Sequence, residues 1–204
     1  MDHLRAAWHD LLPDAPALGA DLLRRWAEPW RHYHDVEHLA DVLRALDELS
    51  MPPPVTIRLA AWFHDAVYDP HAADNEERSA ELAASTLRGA GVHPVDVAEV
   101  VRLVRLTASH DPTPDDPAGA LLCDADLAIL GSPPTRYARY VADVRLEYDH
   151  VPDDDFRAAR SRILREFLRR PAIYRTATGR ARWESAARRN LSAELGDGDA
   201  DRPR

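Results

Sequence analysis

Three segments of this 204-residue chain place histidine or aspartate where a buried helix would carry an apolar residue. In Leu59-Ala60-Ala61-Trp62-Phe63-His64-Asp65-Ala66-Val67-Tyr68, a His-Asp pair interrupts a nearly continuous apolar run. A helix apolar all round is a buried helix, and an ionised carboxylate inside one needs a paired charge or a metal to offset its lost hydration. An internal Asp-His or Asp-Arg pair would satisfy Asp65 as well as a cation would. In Tyr33-His34-Asp35-Val36-Glu37-His38, two histidines stand one helical turn apart and share a side of the helix start. His38 is in phase with Val42, Ala45 and Leu49 and so faces inward. In Leu121–Leu130, Asp124 and Asp126 again break an apolar helix. Residues two apart do not face the same way, so one of them is a ligand candidate and the other a supporting group or a charge placed by the helix dipole.

One partner resolves all three segments: a divalent cation held by two imidazoles and two carboxylates. That mixture of nitrogen and oxygen donors suits Mn, Fe, Zn or Co, and Mg less well.

Composition narrows the rest. The length suits one domain with a sizeable core. The single cysteine, Cys123, excludes an internal disulfide framework and a Cys-rich zinc site. A net charge of −9 disfavours nucleic acid and anionic membranes as partners. All 26 basic residues are Arg, which excludes lysine Schiff-base chemistry and a P-loop lysine. No apolar run reaches membrane-spanning length, and MDHLRAAWHDLL lacks the signal-peptide pattern. The expectation is a cytoplasmic protein with no membrane partner.

These side chains need helices to carry them, and helical periodicity dominates the chain, without convincing strands. The pattern predicts helices over about Leu4–Leu12, Ala17–Ala27, Asp35–Leu49 (capped by Asp35), Val55–Tyr68, Asp74–Ala90, Val95–Ser109, Ala120–Leu130, Pro134–His150, Asp154–Arg169 and Arg180–Leu195. Asp74 with Glu77 reads as a capping box. The Met51–Pro54 stretch, Gly91 with Pro94, and Asp111–Gly119 punctuate. The Tyr137/Tyr140/Val141/Val144 stripe reads as core. The Trp183/Ala186/Asn190/Leu191 face reads as packing or a homodimer contact. The fold expected is an all-α, compact multi-helix bundle forming one domain over residues 1–195, with a disordered tail over 196–204.

The order H…HD…D over helices resembles the HD superfamily of metal-dependent phosphohydrolases. Matched residue by residue, His38 takes the first His, His64-Asp65 the doublet, and Asp126 the last Asp. Asp126 is preferred to Asp124 because Ala125-Asp126-Leu127 looks like the segment that carries the final ligand in related members. Tyr33-His34-x-x-x-His38 is also similar to the Tyr-His-Asn-x-x-His motif of cyclic-nucleotide phosphodiesterases, with Asp35 in place of Asn. By that resemblance His34 is the general acid. From Trp30 to about Leu195 the chain looks like a group of bacterial HD-domain proteins that share Arg-His-Tyr-His, Phe-His-Asp-x-x-Tyr-Asp, Asp-Asn-Glu-x-x-Ser-Ala, Thr-x-x-His and Asp-Ala-Asp-Leu-x-Ile-Leu-Gly.

The resemblance implies hydrolysis of a small-molecule phosphate ester or nucleotide, with the metal bringing the pKa of a water from near 16 towards about 7. Asp65 both binds metal and orients the water, and His34 protonates the leaving oxygen. Glu76, leaning inward with Ala80, Ala83 and Leu87, orients water or binds a second metal, or is simply favoured by the helix dipole. His110 contacts phosphate or a second metal, or sits as a cation at a helix C-terminus. Arg31 clamps phosphate or lies on the surface, and Tyr68 lines the pocket or packs in the core. Two other readings stay open: a di-iron oxygenase of the same superfamily, and a non-catalytic, metal-stabilised binding module.

Overall fold

A computed structural model of the chain describes residues 1–200, with side chains described to residue 196. Ten α-helices and one 3₁₀ turn form an all-α, compact bundle, and no strand occurs among the described residues. In order they are α1 (Asp2–Leu11), α2 (Pro16–Trp26), α3 (Val36–Leu49), α4 (Val55–Phe63), α5 (Asn75–Gly89), α6 (Pro94–Leu106), α7 (Pro117–Asp126), the 3₁₀ turn Leu127–Gly131, α8 (Pro134–Glu147), α9 (Asp153–Arg169) and α10 (Ala177–Ala200).

Local chemistry explains most boundaries. Pro16, Pro94, Pro117 and Pro134 open helices, where a missing N–H costs nothing. Asp35 caps α3 by accepting from the N–H groups of Glu37 (2.8 Å) and His38 (3.2 Å). Helix α5 ends in a Schellman motif. Gly91 takes φ +77° there, its N–H bonds to the Arg88 carbonyl, and the Val92 N–H bonds to the Leu87 carbonyl.

Four expectations are corrected. Helix α4 stops at Phe63, not at Tyr68, because the next carbonyls and amides bond to side chains from elsewhere. Asp74 precedes α5 but makes no side-chain cap bond, and Glu77 instead reaches across to Arg105 on α6. The segment after Asp126 tightens into the 3₁₀ turn. Helix α10 carries on past Leu195 to Ala200, with Leu191 and Leu195 seated on the core and no proline before Pro203. Residues 201–204 of the expected disordered tail lie outside the described residues.

Two apolar clusters organise the bundle. The first draws on α1 to α7 and contains Trp8, Trp26, Leu39, Trp62, Phe63, Leu103 and Leu122. Trp8 meets Trp62 edge-on at 5.1 Å, and the Trp26 indole N–H donates to the Trp62 carbonyl at 3.0 Å. The second is built from α8, α9, α10 and the 3₁₀ turn, with Tyr33, Tyr137, Tyr140, Val144, Leu164, Tyr174 and Leu191. Tyr33, in the loop before α3, packs against Tyr140 at 4.6 Å and against His38 at 4.7 Å. The chemistry-bearing residues therefore lie where the two clusters meet.

Candidate metal centre

Three helices end beside the candidate residues: His64 and Asp126 were expected inside their helices, and His110 at the end of its own. His64 is the C-terminal cap of α4, Asp126 is the last residue of α7, and His110 follows the end of α6 in a turn. Helix C-termini carry partial negative charge, so three of them ending together favour a cation. His38 reaches the same point from the first turn of α3.

His38 Nε2 lies 3.1 Å from His64 Nε2, 3.1 Å from Asp126 Oδ1 and 3.9 Å from Asp65 Oδ2. His64 Nε2 is 3.2 Å from Asp65 Oδ2 and 3.6 Å from Asp126 Oδ1. All four side chains are largely withdrawn from solvent, with exposures of 3, 1, 14 and 12% for His38, His64, Asp65 and Asp126. His64 Nδ1 is 2.8 Å from the Ala61 carbonyl. A carbonyl can only accept, so Nδ1 carries the proton, and neutral His64 turns an Nε2 lone pair inward.

These atoms fit a metal. Ligand bonds of 2.0–2.2 Å put donors about 3 Å apart at right angles and about 3.4 Å apart at tetrahedral angles; three of the separations fall in that range, His64 to Asp126 is slightly longer, and His38 to Asp65 exceeds it. The buried His38, His64 and Asp65 group can hold an ion, and Asp126, at the end of α7, stands beside its two histidines. Burial works against charge on His64, yet Asp65 and Asp126 outweigh it and raise its pKa well above the ordinary value. Burial likewise opposes ionisation of Asp65, but His64 and then His34 hold its carboxyl below the usual range. Asp126 is lowered in the same way by His64, His110 and His38. A pocket that draws a proton this strongly also draws a cation.

His34 stands beside the group, its imidazole 5.7 Å from that of His38 and stacked on Tyr68 at 4.3 Å. Its side chain is 23% exposed, so a ligand can reach it. Burial lowers its pKa, but hydrogen bonding to Glu147, together with Asp65, raises it overall. His110 Nε2 lies 2.6 Å from Asp126 Oδ2, the oxygen facing away from His38. His110 holds φ +48°, an uncommon backbone state for a non-glycine residue. Arg170 fixes that turn by donating to the His110 and Ser109 carbonyls.

Other expected residues take different posts. Asp124 is 1% exposed and accepts the N–H groups of Arg175 (2.7 Å) and Thr176 (2.8 Å), anchoring the approach to α10. Arg31 is neither on the surface nor available to a phosphate. Its guanidinium is buried and donates to the carbonyls of His34, Asp65 and Ala66 and to Glu28, lying over Trp26 and Tyr68. It thereby ties the His34 loop to the turn after α4. Tyr68 spends its hydroxyl on Glu147 at 2.9 Å. Glu76 is half-buried on the first turn of α5 and does not belong to the group of His38, His64 and Asp65.

Three contributors were given no role by the sequence analysis, although Asn75 and Ser79 stand in its Asp-Asn-Glu-x-x-Ser-Ala motif. Glu147 Oε1 accepts the consecutive N–H groups of His32, Tyr33 and His34 at 2.8–2.9 Å, and Oε2 meets His34 Nδ1 at 2.7 Å. Its signal was present: Glu147 continues the Tyr137/Tyr140/Val144 stripe by one more step of three. Asn75 bonds to both the N–H and the carbonyl of Asp69, and Ser79 does the same for Val67. The two fix the turn that carries Asp65.

Compared with family models, with curated proteins and with solved structures, the chain finds no match in any of the three. Among the described residues, no helix is long and apolar enough to cross a membrane.

Proposed function

We propose that this chain is a metal-dependent phosphohydrolase of the HD type, acting on a small phosphate ester or nucleotide. One observation carries the reading: four donor atoms on His38, His64, Asp65 and Asp126 converge beside a histidine that can hold and release a proton. A divalent ion bound there would supply Lewis acidity and make water a better nucleophile at neutral pH.

The chain's own residues do the rest. His38, His64, Asp65 and Asp126 bind the ion, and Asp65 orients the attacking water. As the water oxygen bonds to phosphorus, the bond to the leaving oxygen breaks and its electron pair stays on that oxygen. His34 gives that oxygen a proton from Nε2, and the proton lost by the water passes to Asp65 or to solvent. The buried Trp26 ring, 5.3 Å from His64, backs the ligands with apolar surface.

The test is metal analysis of protein purified without chelator, followed by turnover of a panel of phosphate esters and nucleotides with Mn²⁺ or Co²⁺. One bound ion and turnover are expected, and both should vanish in His64→Ala and Asp65→Ala. Bound metal with no turnover anywhere in the panel would sink the hydrolase reading.

A further inference from the structure

Glu147 makes more polar contacts around the site than any one ligand needs, yet it touches none of the four ligands. It is 3% exposed and sits at the end of α8, more than a hundred residues from the loop it holds. Its two oxygens receive five donors: three backbone N–H groups, the His34 ring and the Tyr68 hydroxyl. A carboxylate that pairs with no Arg among the described residues, satisfied only by neutral donors and one imidazole, is an orienting device more than an ion pair.

We infer that Glu147 is the positioning residue for His34, fixing its ring so that Nδ1 keeps a hydrogen and Nε2 alone exchanges the catalytic proton. The inference rests on the hydrolase reading for what the proton is used for, but not for the geometry. A carboxylate at 2.7 Å accepts from Nδ1, which sets the tautomer. The three N–H bonds to the other oxygen fix the backbone of His34 itself, and Tyr68 both stacks on the ring and bonds to the carboxylate. Rotation of the ring would break contacts on both sides. No hydrogen-bond partner meets His34 Nε2 among the described residues, and the side chain keeps partial exposure to solvent. Glu147 gives up no proton in this scheme. When Nε2 protonates the leaving oxygen, His34 is left neutral with its hydrogen on Nδ1, the form Glu147 holds. A misplaced tautomer removes general-acid work worth about 10²–10⁴-fold in rate.

The experiment uses the full chain loaded with Zn²⁺, which is diamagnetic, and reads the ¹⁵N shifts of the His34 ring, assigned with His34→Gln. In the native protein the proton is expected on Nδ1 in the neutral state. Glu147→Gln can still accept the three backbone N–H groups, but turns a donor toward Nδ1, so the proton should move to Nε2. Its turnover should fall at least a hundredfold, with KM and metal content unchanged. Neutral His34 protonated only on Nε2 in the native protein would overturn the inference, whether or not the variant folds. So would an unshifted tautomer or unchanged kcat in Glu147→Gln. Tyr68→Phe should keep the Nδ1 tautomer and lose less rate. A tautomer switch in a protein that turns over no phosphate ester supports the positioning role and counts against the hydrolase reading alone.

Discussion

Around His38, His64, Asp65 and Asp126 the donor atoms face one another, whereas around Glu147 every carboxylate oxygen meets an N–H or O–H from the chain. Both groups are buried, so both must offset lost hydration. The Glu147 group does so internally and is complete as folded. The ligand group cannot, because converging lone pairs and carboxylates repel until a cation or proton joins them. On the proposed reading the contrast separates two tasks: one half of the site can hold a cation, and the other is a preorganised arm that orients His34.

The largest effect expected from this contrast is metal-linked stability. A ligand that binds only the folded state at about a thousand times its Kd adds about 4 kcal/mol. Urea unfolding with Mn²⁺ or Co²⁺ and with chelator should show a gap of that order, absent in His64→Ala and retained in Glu147→Gln. Equal stability with and without metal would remove the distinction between the halves.

Acid should probe the arm. Burial raises the Glu147 pKa, but the His34 hydrogen bond and charge, with the backbone N–H groups, bring it from 4.5 to about 2. A depressed folded-state pKa contributes stability above the unfolded value and loses it as pH falls through the folded one. A shift of that size corresponds to about 3 kcal/mol, present above pH ~4.5 and gone by pH ~2. The stability difference between the native chain and Glu147→Gln should shrink across that window. Parallel acid unfolding curves would mean that Glu147 is not held as described.

A smaller effect separates the two aspartates of α7. Asp124→Asn keeps one acceptor oxygen but turns a donor toward the other of the Arg175 and Thr176 N–H groups and should cost about 1–3 kcal/mol, with metal stoichiometry unchanged. Asp126→Ala should lose the ion. Loss of metal in Asp124→Asn would exchange the roles of the two residues.

How far the sequence reveals this site depends on the kind of burial each residue has. His38, His64, Asp65 and Asp126 stand out because their neighbours are apolar, so their polarity is an anomaly that demands a partner. Helix positions followed from periodicity and proline, and α1, α2 and α3 lie within two residues of expectation. The end of α4 was not legible, because it depends on Arg31, Asn75 and Ser79 arriving from other segments. Arg31 itself was hidden by composition: in a chain whose only basic residue is Arg, nothing marks one guanidinium as internal. Glu147 lay in a helix rich in charge, Arg136 to Glu147, where one more carboxylate is no anomaly. Only its phase with Val144 could have marked it.

The smallest expected effect concerns two aspartates that look alike before a helix. Asp35 and Asp74 both precede a helix, with acidic residues in the first turn, and sequence treats both as caps. In the fold Asp35 bonds to two free N–H groups, one of them that of His38, so its cap also sets the turn from which His38 projects. Asp74 makes no such bond, and Glu77, which should have answered it, is drawn to Arg105. Truncating a bonded N-cap typically costs about 1 kcal/mol. Asp35→Ala should show that loss in urea and weaken metal binding with it, while Asp74→Ala should fall well short and leave metal binding untouched. Equal losses would restore the capping box at α5 and would mean that Glu77 does not reach α6. An Asp35→Ala protein that binds metal as tightly as the native chain would show that His38 is held by its neighbours Tyr33 and Trp26 rather than by the start of its own helix.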